Sequence, residues 1–294
     1  MKDRIIRAIT EDGYLNIFVC SSTNMVEAAR KTHDMSPVAS AALGRTLTMA
    51  AMMGLSLKDD KNKLTITIRG DGPIGAIVVT GDNKGNVKGY VDNPKVESKL
   101  RQNRKLDVAS VVGKNGRLMV IKDLGLKEPY IGQVELVTGE IAEDFAYYFA
   151  LSEQQPSAVA LGVLVDTDSS IRAAGGVLIQ PMPGIPGEVI QKLEKDILKL
   201  DSISSLIDQG MSPEDIVQYL FGDYPHKILG SAQPRFICDC SVQRFESVLI
   251  SLGEKELKEM IEEPEGVELN CHFCGKAYRF SQEDLIRLLA NAME

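Results

Sequence analysis

Cysteine and histidine are scarce in this sequence, five and three among 294 residues, and their placement excludes more than their number. Five thiols are too few for a disulfide scaffold, and four of them fall between 238 and 274 while Cys20 stands alone. Paired spacing of that kind belongs to metal or redox chemistry in a reducing compartment. His33, His226 and His272 are too scattered to build a triad, and neither a G-x-S-x-G nor a P-loop pattern occurs, so the chain is not expected to be an enzyme. Positive charge is also short. Lys and Arg number 33 against 41 Asp and Glu, for a net charge of −8 and a pI near 5.1. Nucleic-acid binding relies on clustered cations that release counterions, so no nucleic-acid partner is expected. No apolar run approaches the roughly 18 residues needed to cross a bilayer, and Met1-Lys2-Asp3-Arg4 leads directly into an alternating pattern without an apolar leader. A cytoplasmic protein with no membrane partner is the expectation.

The 44% of hydrophobic residues suffices for one large domain and a smaller one. Alternation predicts two strands, Asp3 to Thr10 and Tyr14 to Cys20, around a turn at Glu11-Asp12-Gly13. Asn24, with Glu27 three residues on, reads as the N-cap of a helix. Ser36-Pro37 opens another, running to about Ser56, whose Met49, Met52 and Met53 among Ala and Leu on every face imply burial. Strand character returns over 63–92, where Leu64, Ile66 and Ile68 alternate with polar residues, and again over 117–122 and 132–137. A helix over about 139–152 carries Ile141, Phe145, Tyr148 and Phe149 on one face, and strands follow over 158–165 and 173–180.

Gly70-Asp71-Gly72-Pro73-Ile74-Gly75 matches a dinucleotide fingerprint by letter only. Strand residues, not a helix, follow it, and it reads as a turn. Runs of strands rather than strand–helix alternation make the fold class α+β, with an N-terminal α/β sandwich-like core over 1–180. Three prolines and two glycines within 181–187 mark a boundary. A helical linker is expected over 181–231, with Ile190, Leu193, Ile197 and Leu200 on one stripe and Ser212-Pro213-Glu214-Asp215 opening a second helix through Phe221. Such faces must lie on something. A small zinc-binding domain is expected over 232–294.

Cys238 and Cys240 flank one residue, Cys271 and Cys274 flank two, and 30 residues separate the pairs. Four thiolates so spaced close a tetrahedral Zn²⁺ site. The second pair is an ordinary metal knuckle, whereas the first demands a locally irregular backbone. His272 could replace one thiolate but reads better as a solvent-facing or supporting imidazole, and Cys20 reads as a small buried hydrophobe. Four unconnected thiols and permanent disulfides are the competing readings. Around the ligands, Ser241 is placed to cap a helix with Phe245, Val248, Leu249 and Leu252 on one face, and Ser281 another with Leu285, Leu288 and Leu289. A domain of about 60 residues is marginal without a staple. A zinc-ribbon nucleic-acid binder would need a basic face, yet 232–294 holds 7 Lys and Arg against 12 Asp and Glu. A dithiol oxidoreductase would need a thioredoxin-like context, which neither pair has. A purely structural zinc domain on an unrecognised enzyme is a third alternative.

With these residues in place the chain resembles, nearly end to end, the redox-regulated holdase chaperones, the heat-shock family also called the 33 kDa chaperonin. The resemblance rests on Phe236-Ile237-Cys238-Asp239-Cys240-Ser241 and Cys271-His272-Phe273-Cys274, on Ser152-Glu153-Gln154-Gln155-Pro156, and on Leu178-Ile179-Gln180-Pro181-Met182-Pro183-Gly184. It implies a protein folded and idle while reduced and bound to one zinc. Oxidation then joins Cys238 to Cys240 and Cys271 to Cys274, zinc leaves, the linker loosens, and the oxidised protein, as a homodimer, holds unfolding client proteins without ATP during oxidative and heat stress. Two disulfides closing loops of three or four residues return only about 1.6–1.9 kcal/mol each, against about 10–16 kcal/mol for structural zinc. Net domain stabilities are about 5–15 kcal/mol, so losing zinc would unfold the small domain.

Overall fold

The computed structural model describes residues 2–98, 101, 105–197 and 202–292. Its chain divides into two compact units, Met1–Ile237 and Cys238–Glu294. The first begins with a hairpin of β1 (Arg4–Thr10) and β2 (Leu15–Ser21), closed by Gly13, whose N–H donates to the Thr10 carbonyl at 2.8 Å and whose φ of +77° suits glycine. Helices α1 (Thr23–His33) and α2 (Pro37–Gly54) follow, then β3 (Lys63–Arg69), β4 (Ala76–Gly81) and β5 (Asn86–Val91). Next come α3 (Val108–Val112), β6 (Arg117–Asp123), β7 (Tyr130–Glu135), α4 (Ala142–Leu151), β8 (Ala158–Val165) and β9 (Ile171–Pro181). The unit ends with α5 (Gly187–Ile197), α6 (Ile203–Asp208), α7 (Pro213–Phe221), β10 (His226–Ala232) and β11 (Arg235–Phe236).

Two sheets result. One is antiparallel throughout, in the order β10-β1-β2-β9-β8. The other runs β11-β5-β4-β3-β6-β7, antiparallel except for the parallel β11–β5 pair. Helix α2 packs on strands of both. From Val38 to Gly54 every residue but Arg45 is buried, which is why its sequence is apolar or small on all sides. A Cβ on Gly54 would stand 2.3 Å from the Asp82 carbonyl oxygen, so only glycine admits that approach. Arg45 leaves the core to pair with Glu140 at 2.9 Å. The α+β class follows from this arrangement, and 70–75 is the turn between β3 and β4.

The central strands of the first sheet, β1, β2 and β9, are buried on both faces. Ile5, Phe18, Cys20, Ala174 and Leu178 face the core that holds α2. Their neighbours Ile6, Ala8, Ile17, Val19, Val177 and Ile179 face the other way, onto Leu193 of α5, Ile203 and Ile207 of α6, and Ile216, Val217, Leu220 and Phe221 of α7. Leu193 and Ile197 of the expected stripe therefore lie on a sheet within the same unit. Leu193 is buried, Ile190 and Ile197 half-buried, and Leu200 lies outside the described residues. Ser212 and Asp215 cap α7 reciprocally, as their spacing predicts.

Local expectation fails in three places for tertiary reasons. Asn24 does not cap α1. Ser22 occupies the N-cap, and the buried Asp3 carboxylate takes the N–H groups of Asn24 at 3.0 Å and Met25 at 2.7 Å. Strand β7 stops at Glu135, short of 137, and α4 starts at Ala142. The buried Asp144 carboxylate draws the intervening chain in, accepting from Val137 at 2.8 Å, Thr138 at 3.0 Å and Ile141 at 3.0 Å. Ile141 is thereby held at φ +69°, a costly conformation for a β-branched residue. Strand β10 carries no alternation and was not foreseen. Pairing with β1, not its own pattern, makes it a strand.

Candidate metal centre

In the second unit α8 (Val242–Leu252) and α9 (Glu254–Ile261) precede a hairpin of β12 (Val267–Asn270) and β13 (Ala277–Phe280), and α10 (Gln282–Ala292) closes the chain. Cys271 and Cys274 lie in the hairpin's loop. The Cys271 N–H donates to the Lys276 carbonyl at 3.0 Å, while the Cys271 carbonyl accepts from Cys274 at 3.2 Å and Gly275 at 2.7 Å. Gly275 has φ +69°, which lets the chain turn back behind the two sulfurs. Cys238 and Cys240 stand just before α8. Ser241 caps that helix through the Arg244 N–H at 3.3 Å, and Asp239 points outward to Arg244 at 2.6 Å. Two short local motifs thus present two sulfurs each.

Tertiary packing brings the motifs together. All four Sγ atoms lie within 4.8 Å of one another, with Cys238 to Cys271 at 3.6 Å and Cys240 to Cys274 at 3.4 Å. These separations are far beyond a disulfide bond of about 2.05 Å. A tetrahedral ion with arms of about 2.3 Å needs sulfur–sulfur edges of about 3.8 Å, so the donor set fits one four-coordinate ion. His272 is exposed beside the site, and Cys20 is wholly buried in the first unit, its thiol pKa pushed well up by burial.

The four sulfurs differ in environment. Burial raises Cys238 and Cys274 above the ordinary thiol value. Burial also opposes ionisation of Cys240, but donors led by the Tyr278 hydroxyl, 3.1 Å away, bring it down to about 7. Tyr278 was not singled out from the sequence. Its position on β13, four residues beyond Cys274, carries no motif, and only the folded hairpin aims its hydroxyl at Cys240. Its ring lies against Phe245 with centroids 4.5 Å apart.

The core here is thin. Leu249, Leu257, Tyr278, Phe280, Leu285 and Leu288 are buried together with Cys271, and the other three cysteines pack against them. The expected face of α8 is only partly used, since Leu249 is buried and Phe245 half-buried while Val248 is 54% and Leu252 45% exposed. So small a core accommodates one edge of that helix. Ser281 caps α10 as expected, accepting from Asp284 at 3.2 Å, and Leu285 and Leu288 turn inward.

Fold and site define a two-unit α+β protein whose smaller unit is built around four thiols able to hold one metal ion. A family model described as Hsp33 protein matches residues 3–281, and the chain belongs to that chaperone family. The 33 kDa chaperonin of Alkaliphilus metalliredigens (strain QYMF) is 53% identical over 289 residues, covering 98% of this chain and 99% of the relative. That of Clostridioides difficile (strain 630) is 49% identical over 289 residues, with 98% and 99% covered. The crystal structure of the 33 kDa chaperonin from Thermotoga maritima superposes with a TM-score of 0.90 at 39% identity, covering all of this chain and 99% of that one. Membership implies binding of unfolded client proteins. Among the described residues no helix is long and apolar enough to cross a membrane.

Proposed function

We propose that this chain is a redox-regulated, ATP-independent holdase of the cytoplasm, switched by Cys238, Cys240, Cys271 and Cys274 acting as zinc ligands when reduced. The observation that carries the reading is that the four sulfurs, within 4.8 Å of one another, are part of the small unit's only sizeable apolar cluster among the described residues. Zinc would neutralise the thiolate charge and staple the two motifs together.

Each disulfide, Cys238–Cys240 and Cys271–Cys274, forms as two thiolates give up two electrons. One peroxide takes them with two protons and becomes two waters. Disulfide sulfurs are poor ligands, so the staple is lost, and loops of three or four residues return only about 1.6–1.9 kcal/mol each. With the small unit unfolded, the linker over 181–231 loosens and the apolar faces of α5–α7, Leu193 and Ile197 among them, come free of the first sheet and bind clients. The oxidised form works as a homodimer.

Zinc release and suppression of a thermally unfolding client's light scattering, followed in one sample before and after peroxide at elevated temperature, test this. Both should change together and reverse with reductant. Zinc that stays bound, or equal protection by the reduced protein, would reduce the site to a structural one. Replacing Leu193 and Ile197 with Ser should weaken protection by the oxidised form, and unchanged protection would move the client surface elsewhere.

A further inference from the structure

The surroundings of the four sulfurs are unequal in a way that singles out one side chain. Cys240 receives its donor from outside the cysteine cluster through a side chain, the Tyr278 hydroxyl at 3.1 Å. That hydroxyl is held firmly. Tyr278 is 5% exposed, its backbone is fixed opposite Leu269 in the β12–β13 ladder, Phe245 covers its ring, and the Lys276 ammonium lies 5.1 Å from the ring centroid.

A ring on a strand, packed on one face, cannot swing its hydroxyl away without repacking the core. Four thiolates around a divalent ion carry a net charge of about −2 in a half-buried site, and donors that share this charge strengthen retention of the ion. A donor also withdraws electron density from the sulfur it touches, which makes that sulfur less nucleophilic toward an oxidant.

We propose that Tyr278 is a positioning residue for the redox switch, its hydroxyl donating to the Cys240 thiolate so that the ion is kept and oxidation delayed until the hydrogen bond is broken. The inference rests on the zinc reading above. It assigns the threshold of the switch to one O–H group outside the cysteine motifs.

The test is Tyr278→Phe in the full chain, which keeps the ring and its stacking and deletes only the donor. Zinc affinity measured by chelator competition should fall about 10–100-fold, the range for losing a partner of a metal ligand. Zinc release under peroxide should quicken. In the cobalt-substituted protein the sulfur-to-cobalt charge-transfer band should move to lower energy, because an unshared thiolate is the better electron donor. Phe245→Leu, which loosens the ring but leaves the hydroxyl, should lower thermal stability and leave the band in place. Affinity within twofold of the parent with an unmoved band would overturn the proposal, as would an equal shift in Phe245→Leu, which would assign the effect to packing. A parent protein that binds neither ion tetrahedrally through the four thiols would instead overturn the zinc reading itself.

Discussion

The two units solve the same problem with different materials. In Met1–Ile237 two sheets enclose a helix buried on nearly every side, a second helical layer covers the outer face of one sheet, and Tyr148, Phe18, Phe145 and Phe221 are wholly or almost wholly buried. In Cys238–Glu294, 57 residues long, seven of the described residues are buried, one of them Cys271. Burial fraction falls with size, so a unit that small needs a staple. The difference teaches why the proposed switch belongs in the smaller unit. A unit whose cohesion is concentrated in four sulfurs responds all at once to sulfur chemistry, while a unit held by apolar area spread over many side chains has no comparable single point of failure.

The largest expected effect comes from removing the metal with a chelator or through Cys240→Ser. About 10–16 kcal/mol of binding energy is at stake. Hydrogen exchange should show α8–α10 and β12–β13 losing protection while β1, β2 and β9 keep theirs. Equal loss in those central strands would mean that the units unfold as one block, and the contrast would break.

Phe145→Ala, in the first unit, should cost about 3–5 kcal/mol in denaturant unfolding without altering metal affinity. A change in affinity would show the two stabilities to be coupled.

Glu27 sharpens the contrast through pH. Its carboxylate accepts from Arg30 at 2.8 and 2.9 Å and from the Ile171 N–H at 3.0 Å, and the Arg30 contact leads in holding its pKa down to about 2. A depressed carboxylate stabilises the fold above its unfolded value near 4.5 and loses that contribution as pH falls toward about 2. Glu27→Gln should therefore destabilise the first unit by about 2 kcal/mol at pH 7, with the gap to the parent closing across that acid window. A gap that stays constant with pH would assign the effect to packing.

Ser241→Ala is the smallest, about 1 kcal/mol from a lost N-cap. Because α8 follows Cys240 directly, it should appear as faster exchange in the first turn of that helix and leave the first unit untouched.

Much of the architecture was legible because it follows from local periodicity. The alternation of Leu64, Ile66 and Ile68, the all-round apolar face of α2, and the capping residues Ser36, Ser212 and Ser281 each act within a few residues of themselves. The sequence pattern does not predict helices α3, α6 and α9 or strands β10 to β13, since they are short or unpatterned and owe their form to neighbours. Asn24 misled for the same reason, because its helix is capped by Asp3, 21 residues upstream. The mixed outcome on α8 reflects a core too small to cover Val248 and Leu252.

At the candidate site, spacing alone paired the cysteines, since one or two intervening residues fix how far apart two sulfurs can lie. What joins the pairs is the packing of α8 and α10 around the β12–β13 hairpin, which sets the 3.4 and 3.6 Å contacts between sulfurs 34 and 33 residues apart. The sequence by itself determined the strongly periodic elements and the chemical character of the four thiols, because both depend on residue type and short-range spacing. Only the tertiary structure decided that the helices after Pro181 lie on the first sheet, that Asp3 and Asp144 satisfy distant backbone groups, and that a tyrosine outside every motif reaches Cys240, because burial and hydrogen bonding across long separations depend on where the chain returns in space.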